Sequence, residues 1–172
     1  MIYFVITLSV ALIILFLLLF FTLKNGISPM PTSHKVRQLL FSHLPELNDG
    51  VVVDLGSGWG NLIFPLSKKY ENCEVIGYEN SPIPYFFSSL LNHASNLTIR
   101  RENFLERPLN DVDLVVCYLF PKGMERLKAK LDSELKPGSQ VISHTFAIPG
   151  WEPSKVIEAD DLHCSKIYFY QR

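Results

Sequence analysis

The sequence predicts an open α/β sheet of seven strands, mostly parallel with an antiparallel C-terminal edge, preceded by one N-terminal transmembrane helix. Three observations carry that expectation. A β-branched run, Val51-Val52-Val53-Asp54-Leu55, opens onto a turn with glycines at positions 56, 58 and 60 and then an apolar helical stretch from Leu62. Further short apolar runs alternate with helix-like segments as far as Phe146, the pattern of successive βαβ units. Ahead of all of these, residues 1–23 carry no charged side chain.

An apolar stretch of that length suffices to cross a bilayer, which takes about 20 residues as a helix. A cleaved signal would show a basic start, a shorter apolar centre and a small-residue cleavage site. The first basic residue is Lys24 and no such site follows, so residues 1–23 are expected to be a retained anchor. Lys24, Lys35 and Arg37 follow the span. That bias makes a single-pass membrane protein with its catalytic domain facing the cytosol. Residues 24–31, with Gly26, Pro29 and Pro31, read as a linker.

The domain then occupies residues 32–172. Thr32 or Ser33 caps a helix whose Val36, Leu39, Leu40 and Leu44 share one face, and residues 45–50 end it. The strand at 51–55 and the glycine turn lead into a helix reaching about Tyr70. A second strand, 73–79, ends in Glu79. Asn80 or Ser81 caps the next helix, with Pro82 in its first turn, running to about His93. The third strand is 96–100, followed by a loop at 101–110. The fourth is 113–117, and a helix at 122–135 stops at Lys136-Pro137-Gly138. The fifth strand is 140–146. Segments 155–159 and 166–170 have no helix between them and form the antiparallel edge.

Three widely spaced cysteines, Cys73, Cys117 and Cys164, have neither disulfide-framework nor metal-ligand spacing, so no metal site is expected and a reducing compartment fits. A net charge of −1 and the lack of any basic run argue against a nucleic-acid partner.

In an open sheet, ligands bind outside the carboxyl ends of the strands. Asp54, Glu79, Asn103 and residues 117–121 all fall at such ends or just beyond them. The dinucleotide fingerprint is G-x-G-x-x-G, whereas here the spacing is G-x-G-x-G with Asp54 two residues earlier. Taken singly, the glycine turn could be a tight βα loop, Glu79 a solvated strand end and Asn103 a turn residue. Asp-x-Gly-x-Gly-x-Gly followed by an acid after the second strand resembles the class I S-adenosylmethionine-dependent methyltransferases, and with them a Rossmann-like fold. The resemblance implies that Gly56, Ser57, Gly58 and Gly60 approach S-adenosylmethionine and that Asp54 holds its methionyl amino group. It implies that Glu79 accepts from the ribose hydroxyls with Asn80 beside it, and that Asn103 and Phe104 meet the adenine, with Ile83 or nearby apolar groups covering the ring.

The second half narrows the likeness. Tyr118-Leu119-Phe120-Pro121, Leu135-Lys136-Pro137-Gly138 and the tail Ser143-His144-Thr145-Phe146-Ala147-Ile148-Pro149-Gly150-Trp151-Glu152-Pro153 stand with the N-terminal apolar segment and Pro29–Thr32. Together they resemble the small membrane-anchored protein-lysine methyltransferases of the adenine nucleotide carrier and the ATP synthase c subunit, with their prokaryotic relatives. That resemblance implies N-methylation of a lysine in a membrane-associated protein substrate. The chain departs from it in two places: Gly58-Trp59-Gly60-Asn61 stands where those enzymes have Gly-Asp-Gly-Arg, and Asn103 where they have Asp.

The acceptor amine needs an apolar, aromatic channel, and Tyr118, Phe120 and Pro121, with Leu119, are the candidate catalytic wall. His144 is either a proton acceptor or a structural hydrogen-bonding group, and Trp151 a packing anchor. No Asn-Pro-Pro-Tyr follows the fourth strand, which disfavours methylation of DNA amino groups or glutamine. A methyltransferase for a small amphiphile such as a quinone or lipid, and a catalytically silent cofactor-binding membrane protein, are the competing classes.

Overall fold

A computed structural model describes residues 1–25 and 31–172, so most of the expected 24–31 linker lies outside the described residues. The elements run α1 (Ile2–Asn25), α2 (His34–Phe41), β1 (Val51–Leu55), α3 (Ile63–Lys69), β2 (Glu74–Tyr78), α4 (Pro82–Leu91) and β3 (Leu97–Arg100). They continue with a single 3-10 turn (Phe104–Glu106), β4 (Leu114–Cys117), α5 (Pro121–Glu134), β5 (Gln140–His144), β6 (Lys155–Glu158) and β7 (Lys166–Gln171). The seven strands are ordered β3-β2-β1-β4-β5-β7-β6. The first five are mutually parallel, and β7 lies antiparallel between β5 and β6.

Strand side chains alternate between two faces, and the apolar sequence runs serve both. Val52, Val75, Leu114, Val116 and Ile142 point into a core closed by α2 and by Ile63, Leu66 and Tyr70 around α3. Val53, Leu55, Ile76, Val115 and Val141 point the other way, into a core closed by Met124, Leu127 and Leu131 of α5. No residue of α4 belongs to either core. Pro84 and Ser88 are its buried positions, and the small serine lets the helix approach the sheet edge closely.

Three element ends differ from expectation by two residues or more, each for a local reason. The helix expected to carry Leu44 ends at Phe41, capped by Ser42, and Leu44 is buried from the loop that follows. α4 ends at Leu91 because Asn92 is extended, with its side chain donating to the Leu97 carbonyl (2.9 Å) and accepting from the Ala94 amide (3.0 Å). β5 ends at His144, two residues early, because Thr145 has φ of 73° and turns the chain out of the ladder.

Asn96 joins the far end of α3 to the start of β3. Its side-chain amide faces the carbonyls of Ser67, Tyr70 and Cys73 at 3.1, 3.0 and 3.2 Å, capping the helix end. Asn96→Ala should therefore destabilise the fold by about 1–3 kcal/mol. A urea titration of the full chain in detergent should show a lower midpoint at unchanged slope.

Candidate active site

The chain leaves β1 toward β2 and β3 on one side and returns through β4 and β5 on the other. A crevice therefore opens at the carboxyl ends of β1 and β4, where strand order reverses. It holds a cavity of about 1070 Å³, roomy against the several hundred Å³ typical of a small-ligand site.

Its floor is the turn after β1. The Gly56 and Ser57 amides both donate to the Tyr78 carbonyl (2.9 and 3.0 Å), tying the turn to the end of β2. Glu79 completes the tie: one carboxylate oxygen accepts from the Gly58 amide at 2.9 Å, the other from the Ser81 amide at 2.6 Å. Each oxygen keeps a lone pair for another donor. Gly58 has φ of 53°, and a Cβ there would meet nothing nearer than the Gly56 carbonyl at 3.9 Å, so a ligand can lie against its backbone.

Asp54 lies buried at the cavity floor. Burial, reinforced by the Glu79 charge, pushes its carboxyl up to about 7, with no hydrogen bond among the described residues to offset either effect. Such a group binds a cation that restores its ionised form. Ser57 also borders the cavity, with its hydroxyl buried against Gly77 of β2 and without a hydrogen-bond partner among the described residues. A cradle of open backbone and an uncompensated acid fit a nucleoside ligand with a cationic arm. Among the described residues, no group of three or more His, Cys, Asp or Glu could hold a metal ion.

Asp54, Gly56, Ser57, Gly58, Glu79, Asn80, Asn103 and Phe104 all line the cavity, as do Tyr118, Leu119 and Phe120. Asn103 also serves as the cap of the 3-10 turn, accepting from the Leu105 amide (3.2 Å) and donating to Glu106 (2.8 Å). Tyr118 is held by stacking: its ring lies 4.1 Å from that of His144, tilted 21°, and 6.3 Å from Phe146.

Three residues sit elsewhere than expected, and His144 takes the structural one of its two readings. Gly60 is not among the lining residues; a Cβ on it would fall 2.2 Å from the Phe64 ring, so its freedom serves packing under α3. Pro121 is exposed at the first position of α5, where a missing amide costs nothing, and lies off the wall. Ile83 borders a small gap between α4 and α1, away from the cavity. His144 lies behind Tyr118, with its ring nitrogens 3.2 Å from the hydroxyls of Thr32 and Thr145. Burial pulls its imidazole down to about 4, leaving it neutral near pH 7.

The cationic rim was not anticipated from the sequence. Arg101, Arg107, Lys122 and Arg126 border the cavity, with Arg107 ion-paired to Glu102 at 2.7 Å. Lys122 and Arg126 are four apart on α5 and share a face, a signal that spacing alone offers. Phe21 and Leu23, at the end of α1, complete the rim.

The family model for the ANTKMT methyltransferase domain matches residues 54–155. A protein-lysine N-methyltransferase from Saccharolobus islandicus (strain REY15A) is 32% identical over 147 residues, covering 82% of this chain and 91% of that protein. The adenine nucleotide translocase lysine N-methyltransferase of Mus musculus is 30% identical over 117 residues, covering 63% of this chain; this chain spans 48% of that protein's length. In fold, the chain matches a Salinibacter ruber RNA methyltransferase solved with S-adenosyl-L-homocysteine at a TM-score of 0.70 and 24% identity, covering 83% of this chain and 93% of that one.

The glycine geometry separates two kinds of effect. Gly60→Ala should lower stability by about 1–3 kcal/mol through collision with Phe64. Gly58→Ala, with open space around its Cβ, should be milder in the same denaturation experiment.

Proposed function

The chain belongs to the ANTKMT methyltransferase family, and from that premise we propose that it is a membrane-tethered S-adenosylmethionine-dependent enzyme that N-methylates lysine in a membrane-associated protein. The observation that carries this reading is one cavity in which the Asp54–Gly58–Glu79 floor faces the Tyr118–Phe120 wall, beside the last residues of α1. The helix Ile2–Leu23 is long and apolar enough to span a bilayer and serves as the tether. The basic residues that follow it orient the domain to the cytosol. The unit that acts is residues 32–172.

S-adenosylmethionine supplies, when bound, a methyl group on a sulfonium that is already a good donor, so the protein contributes chiefly alignment. Asp54 pairs with the ammonium of the methionyl arm. Glu79, fixed by two backbone amides, offers its remaining lone pairs to the ribose diol. Gly56, Ser57 and Gly58 give the backbone approach, Asn80 stands at the ribose edge, and Asn103 with Phe104 meets the adenine.

The lysine acceptor must lose its proton, against an ordinary pKa of about 10.4. Two features lower it. Tyr118 and Phe120 displace water from the amine, and Arg101, Lys122 and Arg126 surround it with like charge. His144 is sequestered behind Tyr118 and neutral, so it orients the aromatic wall and the amine proton leaves to solvent. A protein acceptor brings part of its own enclosure to the cavity. The apolar end of α1 at the rim also suits a small amphiphile entering from the bilayer, the second reading that the experiment distinguishes.

Ligand affinity should follow Asp54. Its folded carboxyl sits near 7 against an ordinary 3.8, so the unliganded fold holds a proton there between those values, and the stability it gains from that proton fades as pH rises toward 7. A ligand that needs the anion binds better in the same direction. Calorimetry with S-adenosylhomocysteine should show affinity about tenfold weaker at pH 6 than at pH 8. Asp54→Asn should bind more weakly and lose that dependence.

Incubating membranes with the enzyme and radiolabelled methyl donor tests the acceptor. Label on a protein band that yields methyl-lysine on hydrolysis supports the proposal. Label confined to the organic extract supports the amphiphile, and none despite cofactor binding would mean a silent protein.

A further inference from the structure

α4 is amphipathic the wrong way round for a soluble domain. Its sequence, Pro82-Ile83-Pro84-Tyr85-Phe86-Phe87-Ser88-Ser89-Leu90-Leu91, contains no charge. Ile83, Phe86, Phe87, Leu90 and Leu91 fall at the i, i+3, i+4, i+7, i+8 spacing of a single apolar stripe. That stripe faces away from the domain: Phe86, Phe87, Leu90 and Leu91 are 60%, 47%, 63% and 58% exposed, while Ser88 is fully buried. The rings of Phe86 and Phe87 meet edge to face, and Trp59 of the glycine turn packs against Phe87 at 5.8 Å, extending the surface. A contiguous apolar surface of this kind marks an interaction site.

What covers it follows from its neighbour. The first turn of α4, with Ser81–Pro84, borders a narrow gap against Leu17, Leu18 and Phe21 of α1. The apolar span of α1 runs to Leu23 with none of it buried inside the protein. At 1.5 Å per residue, the contact with α4 lies about 3–9 Å inside the apolar end of that span. Helices that lie in a membrane interface bury their apolar face to about 5–10 Å, the same depth.

We propose that the outward face of α4 is a second membrane contact, lying in the interface of the same bilayer that α1 crosses. This rests on the reading of α1 as a membrane anchor. The occupant is lipid, since the stripe continues a surface whose own surroundings are lipid and carries no charge to pair with a protein partner. Two contacts then fix the orientation that one helix on a linker leaves free. The cavity rim, which includes Phe21 and Leu23, is held facing the bilayer surface, where a lysine just outside the apolar layer can reach it.

The test uses the full chain with Cys164→Ser, leaving only the buried Cys73 and Cys117. Leu90→Cys is labelled with an environment-sensitive fluorophore and reconstituted into phosphatidylcholine–phosphatidylglycerol vesicles. Glu158→Cys, on β6 at the opposite edge of the sheet from β3, is the reference. With a nitroxide on the upper acyl chain, quenching at position 90 should exceed that at position 158 by about threefold or more, with emission shifted to the blue. Chain that floats with the vesicles while the label at 90 emits as in water would overturn this inference and leave the anchor standing. A blue-shifted label that lipid nitroxides do not quench would assign the stripe to a protein partner and overturn it equally. Chain that does not float at all would overturn the anchor and this inference together.

Discussion

The Glu79 carboxylate is the joint on which the functional half of the molecule depends. It is attached to the end of β2 and accepts from the Gly58 amide in the turn after β1 and from the Ser81 amide at the start of α4. The glycine turn after β1 is thereby fixed to the junction of β2 and α4, 21 residues later in the chain. The donors come from a helix N-terminus and a glycine turn, both natural sites for anions. Asp54, its buried neighbour, has no comparable donors among the described residues and bears the cost of burial. The floor therefore holds one acid already tied to backbone and another that a cationic group must neutralise. That asymmetry is what makes the cavity a site for a zwitterionic nucleoside rather than a simple fold crevice.

Much of this was legible in the sequence because it is local. The strand at Val51–Leu55, the acid at the end of each of the first two parallel strands, and the glycine turn all follow from short-range patterns, and the sheet topology follows from their alternation. What was not legible depends on contacts distant in the chain. Gly60 belongs with the ligand by motif spacing, yet its Cβ direction meets Phe64, a fact about how α3 lies over the turn. Pro121 was grouped with Tyr118 and Phe120 because they are adjacent, but a helix starting at Pro121 turns its side chain away from them. His144 is paired with Thr32 across 112 residues, and no local signal announces that partner.

α4 shows a subtler limit. Periodicity reveals that Phe86, Phe87, Leu90 and Leu91 share one side of a helix, but not which way that side points. In a soluble domain the default is inward. Here both cores are complete without α4, and the side chains it turns to the sheet are Pro84 and Ser88. Amphipathicity reads as a core face only when the solvent on the other side is water. Beside a helix such as α1, apolar and with none of its span buried in the protein, the proposed membrane contact sets that assumption aside.

Trp59 ties these threads together. The enzymes that this chain resembles carry an acid at that place in the glycine turn, and a charge there is compatible with a turn bordered by water. In this chain the position lines the cavity and packs on Phe87 of the apolar stripe. With that stripe against lipid, as proposed, a carboxylate there would lose hydration that an indole does not need. An indole instead offers a large apolar body with one polar N–H, the combination that suits the edge between an apolar layer and a wet site. The substitution leaves untouched Asp54 and Glu79, the groups proposed to meet the cofactor's positive arm and its sugar. On the proposed membrane contact, the departure belongs to where the domain sits rather than to what it binds.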